Sequence, residues 1–512
     1  MKSVCPGCNF GCGLYLQPKD EEMMALDYRR GILEIDFKKG SEVNEGKLCK
    51  FGVELPEYYA NKAVSKVDGL EVEFEKAVEE AGKRLAGKDV VFLSFGDSTC
   101  EELVALSRLA DGKIESGLGA LSDIDESAYM CMAVGIPYED IEKAKSIVLI
   151  NVDPYVQYPL ILRRILKAKE SGCKVAYVGW RKPRNLADKV ILLSPSTWIK
   201  TLAELENEFS EFLGEGCVVI SDLHPHVHPA QIKTALNLGK GNVLFLKPFA
   251  NLTGLMLLKS SVSADRTLDS LLYDIEEGNV KALFVHEADL IEVMPDSERV
   301  KEALKKLEVL VVQTSRASPI TEMAHVVIAP EQLWEKKGVV VNNEGRILEV
   351  GGERTDGFEA ICKVAEALGR EKIEFDDAHK QVLERVGVDV VNEYTVPAYE
   401  KKEYPAQSIE AQESDIETAL VKMYTPFTWR DMEKQYICLS MNMIASKRIM
   451  KGNLVTLGAN GKEGRYPFRP DDVADDVVLT FGRIDIAKEN ITPLEKIENT
   501  IWAEEESEER EE

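Results

Sequence analysis

No stretch of this sequence approaches the run of about twenty apolar residues that a helix needs to cross a bilayer. That absence speaks against a membrane-spanning subunit. Met1-Lys2-Ser3-Val4 leads straight into cysteines without the apolar core of a secretory signal, so a cytoplasmic location is expected. Basic residues are in deficit, 63 Lys and Arg against 89 Asp and Glu, for a formal charge of −26. Phosphate backbones are gripped by clustered Lys and Arg, so nucleic acid is excluded as a general partner, and anionic membrane surfaces are disfavoured likewise. Ten cysteines in 512 residues are too few and too unevenly spread for a disulfide scaffold. They point instead to a local metal site in a reducing compartment, with the rest as core thiols.

What is present is enough chain for several cores. At 45% apolar composition the 512 residues suit about three or four domains of roughly 100–200 residues. The opening "VCPGCNFGCGLYL" sets Cys5, Cys8 and Cys12 at C-x2-C-x3-C spacing, and Cys49 follows in "KLCKFG". Soft thiolates at short intervals let one loop wrap a cluster while a distant fourth ligand closes it. Structural zinc usually shows paired C-x2-C halves, so the single Cys of the second half favours a 4Fe-4S cube over zinc. Gly7, Gly11 and Gly13 suit so crowded a loop, because small residues let amides approach the sulfurs. The stretch before Cys49 alternates like short strands, which predicts a small β-rich unit.

The middle of the chain repeats itself. "SIVLINVDPYVQYPLILRRILKAKESGCKVAYVGW" and "ALFVHEADLIEVMPDSERVKEALKKLEVLVVQTSR" share one order of strand, helix and strand. Asp153 precedes Pro159 by six residues, as Asp289 precedes Pro295. Continuous apolar runs separated by helical patterns read as buried parallel strands, here in two related α/β units. Ligands of such sheets bind where strand ends open into loops.

"CPGCNFGC" with "VNEGKLCKFG", and later "LWEKKGVVVNNEGRILEV", resembles the molybdopterin oxidoreductase superfamily, in the branch of formate dehydrogenase catalytic subunits and the related chain of formylmethanofuran dehydrogenase. The resemblance covers about residues 1–370. It implies an α/β fold with a small N-terminal iron-sulfur domain, two pseudo-symmetric Rossmann-like domains and a shortened C-terminal β-barrel-like segment. The expected boundaries are 1–54 for the cluster domain, 55–138 with 256–390 for one discontinuous α/β domain and 139–255 for the other. A connector and abbreviated β cap then fill 391–485, and an acidic tail 486–512. The implied cofactors are a 4Fe-4S cluster on Cys5, Cys8, Cys12 and Cys49, and molybdopterin guanine dinucleotide with Mo or W, one pterin from each α/β domain.

By the same resemblance Cys131 falls where these enzymes place a metal-ligating Cys or selenocysteine, and Lys247 where an Arg orients formate. Asp153, Arg181, Asn251, Gly254, Arg316 and Asn343 fall in the pterin pockets, and Lys50 near a Lys between cluster and pterin. Met132 replaces the His that usually follows the metal ligand, Trp180 a turn proline, and Trp198 an Asp that recognises guanine. The implied function is CO2 and formate (or formyl) interconversion at a Mo or W centre. Other iron-sulfur or flavin subunits would then be the electron partners. The alternative is a non-catalytic electron-transfer or scaffold subunit like the large iron-sulfur subunit of complex I, without the pterin.

One further run, "DLHPHVHPA", alternates His224, His226 and His228. On a strand they would share a face as a metal trap, but Pro225 and Pro229 favour a loop at a strand end. The other histidines, His286, His325 and His379, form no constellation.

Overall fold

A computed structural model describes residues 1–20, 33–258, 262–263, 266–426 and 436–500. Four of the apolar runs form the almost wholly buried strands Ser146–Ile150, Lys174–Gly179, Ala282–His286 and Val309–Gln313. Side chains that are apolar without alternation fit only a sheet covered on both faces, and such sheets are parallel. The first sheet is all parallel, in the spatial order Lys189–Leu192, Lys174–Gly179, Ser146–Ile150, Cys217–Asp222, Val243–Leu246. Chain order reverses between Ser146–Ile150 and Cys217–Asp222, the switch point beside which such sheets open a crevice.

The second sheet is assembled from two stretches of chain. Val262–Ser263, Ile114–Glu115, Val90–Ser94, Ala282–His286, Val309–Gln313 and Val326–Ile328 run parallel, and Lys66–Val67 with Leu70–Glu71 extend the edge antiparallel. Its switch point lies between Val90–Ser94 and Ala282–His286.

Past each central strand the chain makes the same turn. Asn151 and Glu287 both take positive φ, 55° and 44°. The Asn151 amide donates to the Val178 carbonyl at 2.7 Å, and the Glu287 amide to the Gln313 carbonyl at 2.8 Å. Two residues on, Asp153 accepts the Tyr155 amide at 3.0 Å and Asp289 the Ile291 amide at 2.7 Å. Short carboxylates close such turns by bonding the backbone two residues ahead. The spacing noticed in the sequence thus has a local cause at both strand ends.

The N-terminal unit is a three-stranded antiparallel sheet of Lys2–Val4, Gly13–Pro18 and Leu33–Phe37. Its first loop presses on the hairpin Val339–Val341 and Ile347–Glu349. At Gly11, where φ is +82°, a Cβ would meet the Leu348 side chain at 2.6 Å and the Asn342 side chain at 2.8 Å.

The C-terminal unit has a five-stranded sheet, Phe468–Pro470, Ile437–Leu439, Val477–Thr480, Ala419–Lys422 and Ile491–Pro493, and a three-stranded one, Lys462–Tyr466, Leu454–Ala459 and Lys496–Thr500. Here the structure departs from the sequence reading of an acidic tail from residue 486. Ile491–Pro493 pairs with Ala419–Lys422, and Lys496–Thr500 with Leu454–Ala459. Charged side chains on half-exposed strands mask their alternation; the rest of that tail, 501–512, lies outside the described residues. Among the described residues no helix is long and apolar enough to cross a membrane.

Candidate functional site

The cluster loop is closed at its base by the Cys5 amide donating to the Cys12 carbonyl at 2.9 Å. Asn9 fastens its tip. Its side-chain amide donates to the Ala250 carbonyl at 2.7 Å and the Val341 carbonyl at 2.8 Å, while its Oδ1 accepts the Thr253 amide at 3.1 Å. Its backbone joins the same segments, since its amide donates to the Lys247 carbonyl at 3.0 Å and its carbonyl accepts the Asn343 amide at 2.8 Å. A fully buried Asn with every polar atom engaged fixes a loop more tightly than apolar contact can. Nothing in the sequence singles it out except its place between two cysteines.

Cys49, at the N-terminus of the helix Lys50–Val53, comes back to this loop. Cys8, Cys12 and Cys49 line a pocket of about 260 Å³ with Phe10, Gln157, Tyr158, Pro159 and Leu160. All four thiols interact: burial, then Cys49, raises Cys5, and burial, then Cys5, Cys8 and Cys49, raises Cys12. Cys8 is pushed up to about 12 by burial and by Cys49. Buried thiols so placed lose their protons only to a bound cation. Among the described residues no three His, Cys, Asp or Glu side chains converge tightly enough for a single ion. Three thiols lining one pocket, with Cys5 electrostatically coupled to them, are the donor type that a multi-iron cluster takes. The donor set therefore fits the cluster.

Pro6 and Gly7, in the same loop, line a second and larger space of about 790 Å³. It lies at the switch point of the second sheet, bounded by Phe95 and Asp97 after one central strand and by Glu287, Ala288 and Asp289 after the other. Its walls carry carboxylates. Glu287 accepts from the Ser315 amide at 3.0 Å and Lys336 at 3.1 Å, and Arg316 pairs with Glu292 at 2.5 Å. Asp97 accepts the Ala250 amide at 2.6 Å, and burial pushes its carboxyl up to about 8. A polar crevice beside the cluster and at strand ends stands where an open α/β sheet takes its ligand.

Gly96, at φ +84°, brings the turn after Val90–Ser94 against the Asn251 carbonyl, which an added Cβ would meet at 2.8 Å. Gly96→Ala is expected to cost about 1–3 kcal/mol through this clash and the left-handed backbone. Chemical denaturation of the anaerobically purified chain would show it; an unchanged midpoint would refute the argument.

Asn251 and Asn343 are buried in the same knot as Asn9. The Asn251 side chain donates to the Ser98 carbonyl at 2.8 Å and accepts the Val341 amide at 2.8 Å, and Asn343 Oδ1 accepts the Lys247 amide at 3.2 Å. At Gly254 a Cβ would lie 2.1 Å from Asn251 Oδ1. Lys247 is fully buried rather than on the surface, its amine donating to the Phe245 carbonyl at 3.2 Å. Burial, helped by Lys401, pushes its pKa down to about 7. Cys131 is buried as well, its thiol raised by burial and lowered by Lys401. Lys401, on the connector, thus acts on both, and its amine donates to the Gly135 carbonyl at 3.0 Å. Neither Cys131 nor Lys247 lines the 790 Å³ crevice. Lys50 turns outward, 76% exposed, and pairs with Glu54 at 3.5 Å instead of facing the crevice.

Asp153 and Arg181 lie at the other switch point, paired with each other, and Arg181 Nε donates to Asp471 at 2.8 Å. The three histidines do not converge on a metal. His224 stacks on Tyr424 with ring centroids 4.6 Å apart, and His228 caps a helix by accepting the Ala230 amide at 3.1 Å.

The family model of the molybdopterin oxidoreductase Fe4S4 domain matches residues 1–61, and that of the molybdopterin oxidoreductase domain residues 71–215. The F420-dependent formate dehydrogenase subunit alpha of Methanocaldococcus jannaschii is 24% identical over 482 residues, covering 72% of this chain and 70% of its own. NADH-quinone oxidoreductase subunit 3 of Thermus thermophilus is 25% identical over 421 residues, covering 72% and 51%. Acetylene hydratase from Pelobacter acetylenicus shares the fold, with a TM-score of 0.55 at 11% identity over 93% of this chain and 92% of that one. The thiol-lined pocket lies in the segment that matches the Fe4S4 domain, next to a switch-point crevice, so residues 1–61 and 71–215 carry the Fe4S4 and molybdopterin domains of molybdopterin oxidoreductases, the domains of a 4Fe-4S cluster and a molybdopterin cofactor.

Proposed function

We propose that the chain is the catalytic subunit of a molybdenum or tungsten enzyme that interconverts CO2 with formate, or with a formyl group. The carrying observation is one loop serving two spaces: its cysteines ring the cluster pocket while Pro6 and Gly7 wall the larger crevice. Cys5, Cys8, Cys12 and Cys49 hold the cluster. When bound, the metal with its pterin supplies the two-electron acceptor for formate oxidation, whose other products are CO2 and a proton. By the resemblance Cys131 would offer a thiolate to the metal, from a buried position outside the crevice lining. Lys247 and Lys401 supply positive charge for a small carboxylate, and Lys247 Nζ can hold a proton and yield it near neutral pH. Cys8 and Cys49 are the less buried thiols, so an iron-sulfur or flavin partner would approach from their side.

The test is formate-dependent reduction of a viologen dye by anaerobically purified protein. Cys131→Ala should lower the rate at least about a hundredfold with iron content unchanged, as loss of a group acting on the reacting centre does. Equal rates would remove the ligand assignment. The non-catalytic reading draws on the filled switch point around Asp153 and Arg181. Iron without molybdenum, tungsten or pterin in the purified chain would establish it.

A further inference from the structure

Between the helix Phe375–Val386 and the strand Ala419–Lys422 the chain crosses the body without a helix or strand of its own. So long an irregular stretch is uncommon in a compact protein unless it serves as a lid or binding loop. Its ends are fixed firmly. At one, the Glu393 carboxylate pairs with Lys2 and Lys38, each at 2.7 Å, and the Glu393 carbonyl accepts from Arg346 at 2.9 Å. At the other, the backbone of Gln407 donates to and accepts from the Asn237 side chain, both at 2.8 Å, and Gln407 Oε1 accepts the Asp125 amide at 3.1 Å. In between, among the described residues, the backbone of 394–406 makes no hydrogen bond to the body. Three side chains hold the stretch down. The Tyr399 hydroxyl donates to the Gly345 carbonyl at 2.6 Å, the Lys401 amine to the Gly135 carbonyl at 3.0 Å, and the Tyr404 hydroxyl to the Leu236 carbonyl at 2.7 Å.

The middle latch lies beside Cys131 and Lys247. Gly135 follows the short helix Tyr129–Ala133 that carries Cys131, and it is wedged so closely that a Cβ there would meet the Leu244 side chain at 2.3 Å and the Asn343 carbonyl at 3.1 Å. Leu244 belongs to the strand Val243–Leu246 that leads into Lys247, and Asn343 Oδ1 accepts the Lys247 amide. The Lys401 amine is thus bonded to backbone packed against both residues, and its charge pulls the pKa of each down. Cys131 is 1% exposed and Lys247 0%, so a substrate reaches them only when something moves. The helix, the strand and the hairpin Val339–Val341 with Ile347–Glu349 are held by backbone ladders. The strap has none, and a segment held by a few side chains opens at low cost and recloses without refolding. Lys401 is also poised for exchange, because a neutral carbonyl binds an ammonium less strongly than a carboxylate does.

We propose that residues 394–406 form a gate over Cys131 and Lys247, and that Lys401 leaves the Gly135 carbonyl to bind the carboxylate of the entering substrate. This rests on the reading that the chain acts on formate there, and adds the route of entry. Trypsin cutting after Lys401 or Lys402 in the anaerobically purified chain reports opening. Tyr399→Phe combined with Tyr404→Phe removes two hydroxyls and keeps both rings, so this one place should be cut at least about fivefold faster than in wild type, with iron content and other cuts unchanged. Formate-dependent dye reduction reports capture. Lys401→Gln keeps a donor for the Gly135 carbonyl but not the charge, and should raise KM for formate at least about tenfold with a smaller fall in kcat, while Lys401→Arg recovers most of it. Lys402→Met removes the same charge from the exposed neighbour and should leave KM within about twofold. Lys401→Met replaces Lys401→Gln if that variant loses iron. Unchanged cutting in the folded double variant would overturn the gate, and unchanged KM in Lys401→Gln beside an active wild type would overturn the capture; both leave the catalytic reading intact. A metal-loaded wild type inert towards formate would overturn that reading and the capture with it, while the trypsin rates would still decide the gate.

Discussion

Replacing Lys336 with Met is expected to destabilise the protein by about 3–5 kcal/mol, a large share of the roughly 5–15 kcal/mol that holds a typical domain folded. Lys336 is 1% exposed, and its amine donates to Glu102 at 2.8 Å, Glu287 at 3.1 Å and the Ser98 hydroxyl at 3.2 Å. Glu102 is engaged further by His286 Nε2 at 3.2 Å. Truncating the amine leaves two buried carboxylates without their cation, and the desolvation they suffered on folding is no longer offset. Methionine keeps the volume, so the loss reports charge rather than packing. Burial on its own would raise Glu102, yet Lys336 and then His286 override it and hold the carboxyl well below its ordinary value of 4.5. A depressed carboxylate contributes stability that is full above that value and lost as pH falls below it. The gap between wild type and Lys336→Met should therefore be widest near neutrality and shrink on acidification, when the stranded carboxylates of the variant protonate. Adding Glu102→Gln to Lys336→Met should recover part of the loss. Urea unfolding at several pH values would check all three, and a neutral-pH difference under about 1 kcal/mol would mean the network is not paired as described.

Lys336 also shows where sequence reading stops. It lies inside "LWEKKGVVVNNEGR", yet its partners are 234 and 49 residues away, and no local pattern announces a pairing that only the folded sheet creates. The strands were legible for the opposite reason. "SIVLI", "KVAYV", "ALFVH" and "VLVVQ" are apolar without alternation, and burial on both faces is the one environment that suits them. The two aspartates that follow the central strands were legible by spacing, because an Asx turn is local chemistry. Asn9 was not, since its worth lies in carbonyls of residues 250 and 341. Lys247 illustrates a bias: a lysine after a strand reads as a surface charge, but the neighbouring knot of asparagines shuts it in. Trp180 and Trp198 were legible only as departures from the family pattern, and Tyr424 gave no sign, because it arrives from a unit whose short strands carry weak patterning.

Cys49→Ala is expected to remove the iron-sulfur cluster, taking bound iron from the wild-type level to less than about a tenth of it and abolishing the charge-transfer absorption near 400 nm, since each thiolate is a covalent ligand. Cys49 is the ligand that the chain brings back from beyond the three-stranded sheet, so it ties the helix Lys50–Val53 to the loop of Cys5, Cys8 and Cys12. The other three would leave one iron corner to water, in a pocket walled otherwise by Phe10, Tyr158, Pro159 and Leu160. Tyr158 does not replace the thiolate, because burial keeps its hydroxyl protonated and it donates to the Leu246 carbonyl at 3.4 Å. Cys100→Ala and Cys217→Ala, at buried cysteines outside the loop, should keep full iron and so separate ligation from general loss of core packing. The consequence extends past the cluster. With no cube to hold it, the loop would rely on Asn9 and the Cys5 to Cys12 backbone bond, and Pro6 and Gly7 would no longer be held as one wall of the larger crevice. Limited proteolysis should then cut between residues 5 and 12 in Cys49→Ala and not in wild type. Because burial keeps the free thiols protonated, cluster assembly releases protons, and reconstitution of the wild type should proceed further as pH rises from about 6 to about 8.5. Full iron in Cys49→Ala would sink the four-thiol site, and with it the argument that one loop shapes both the cluster pocket and the crevice beside it.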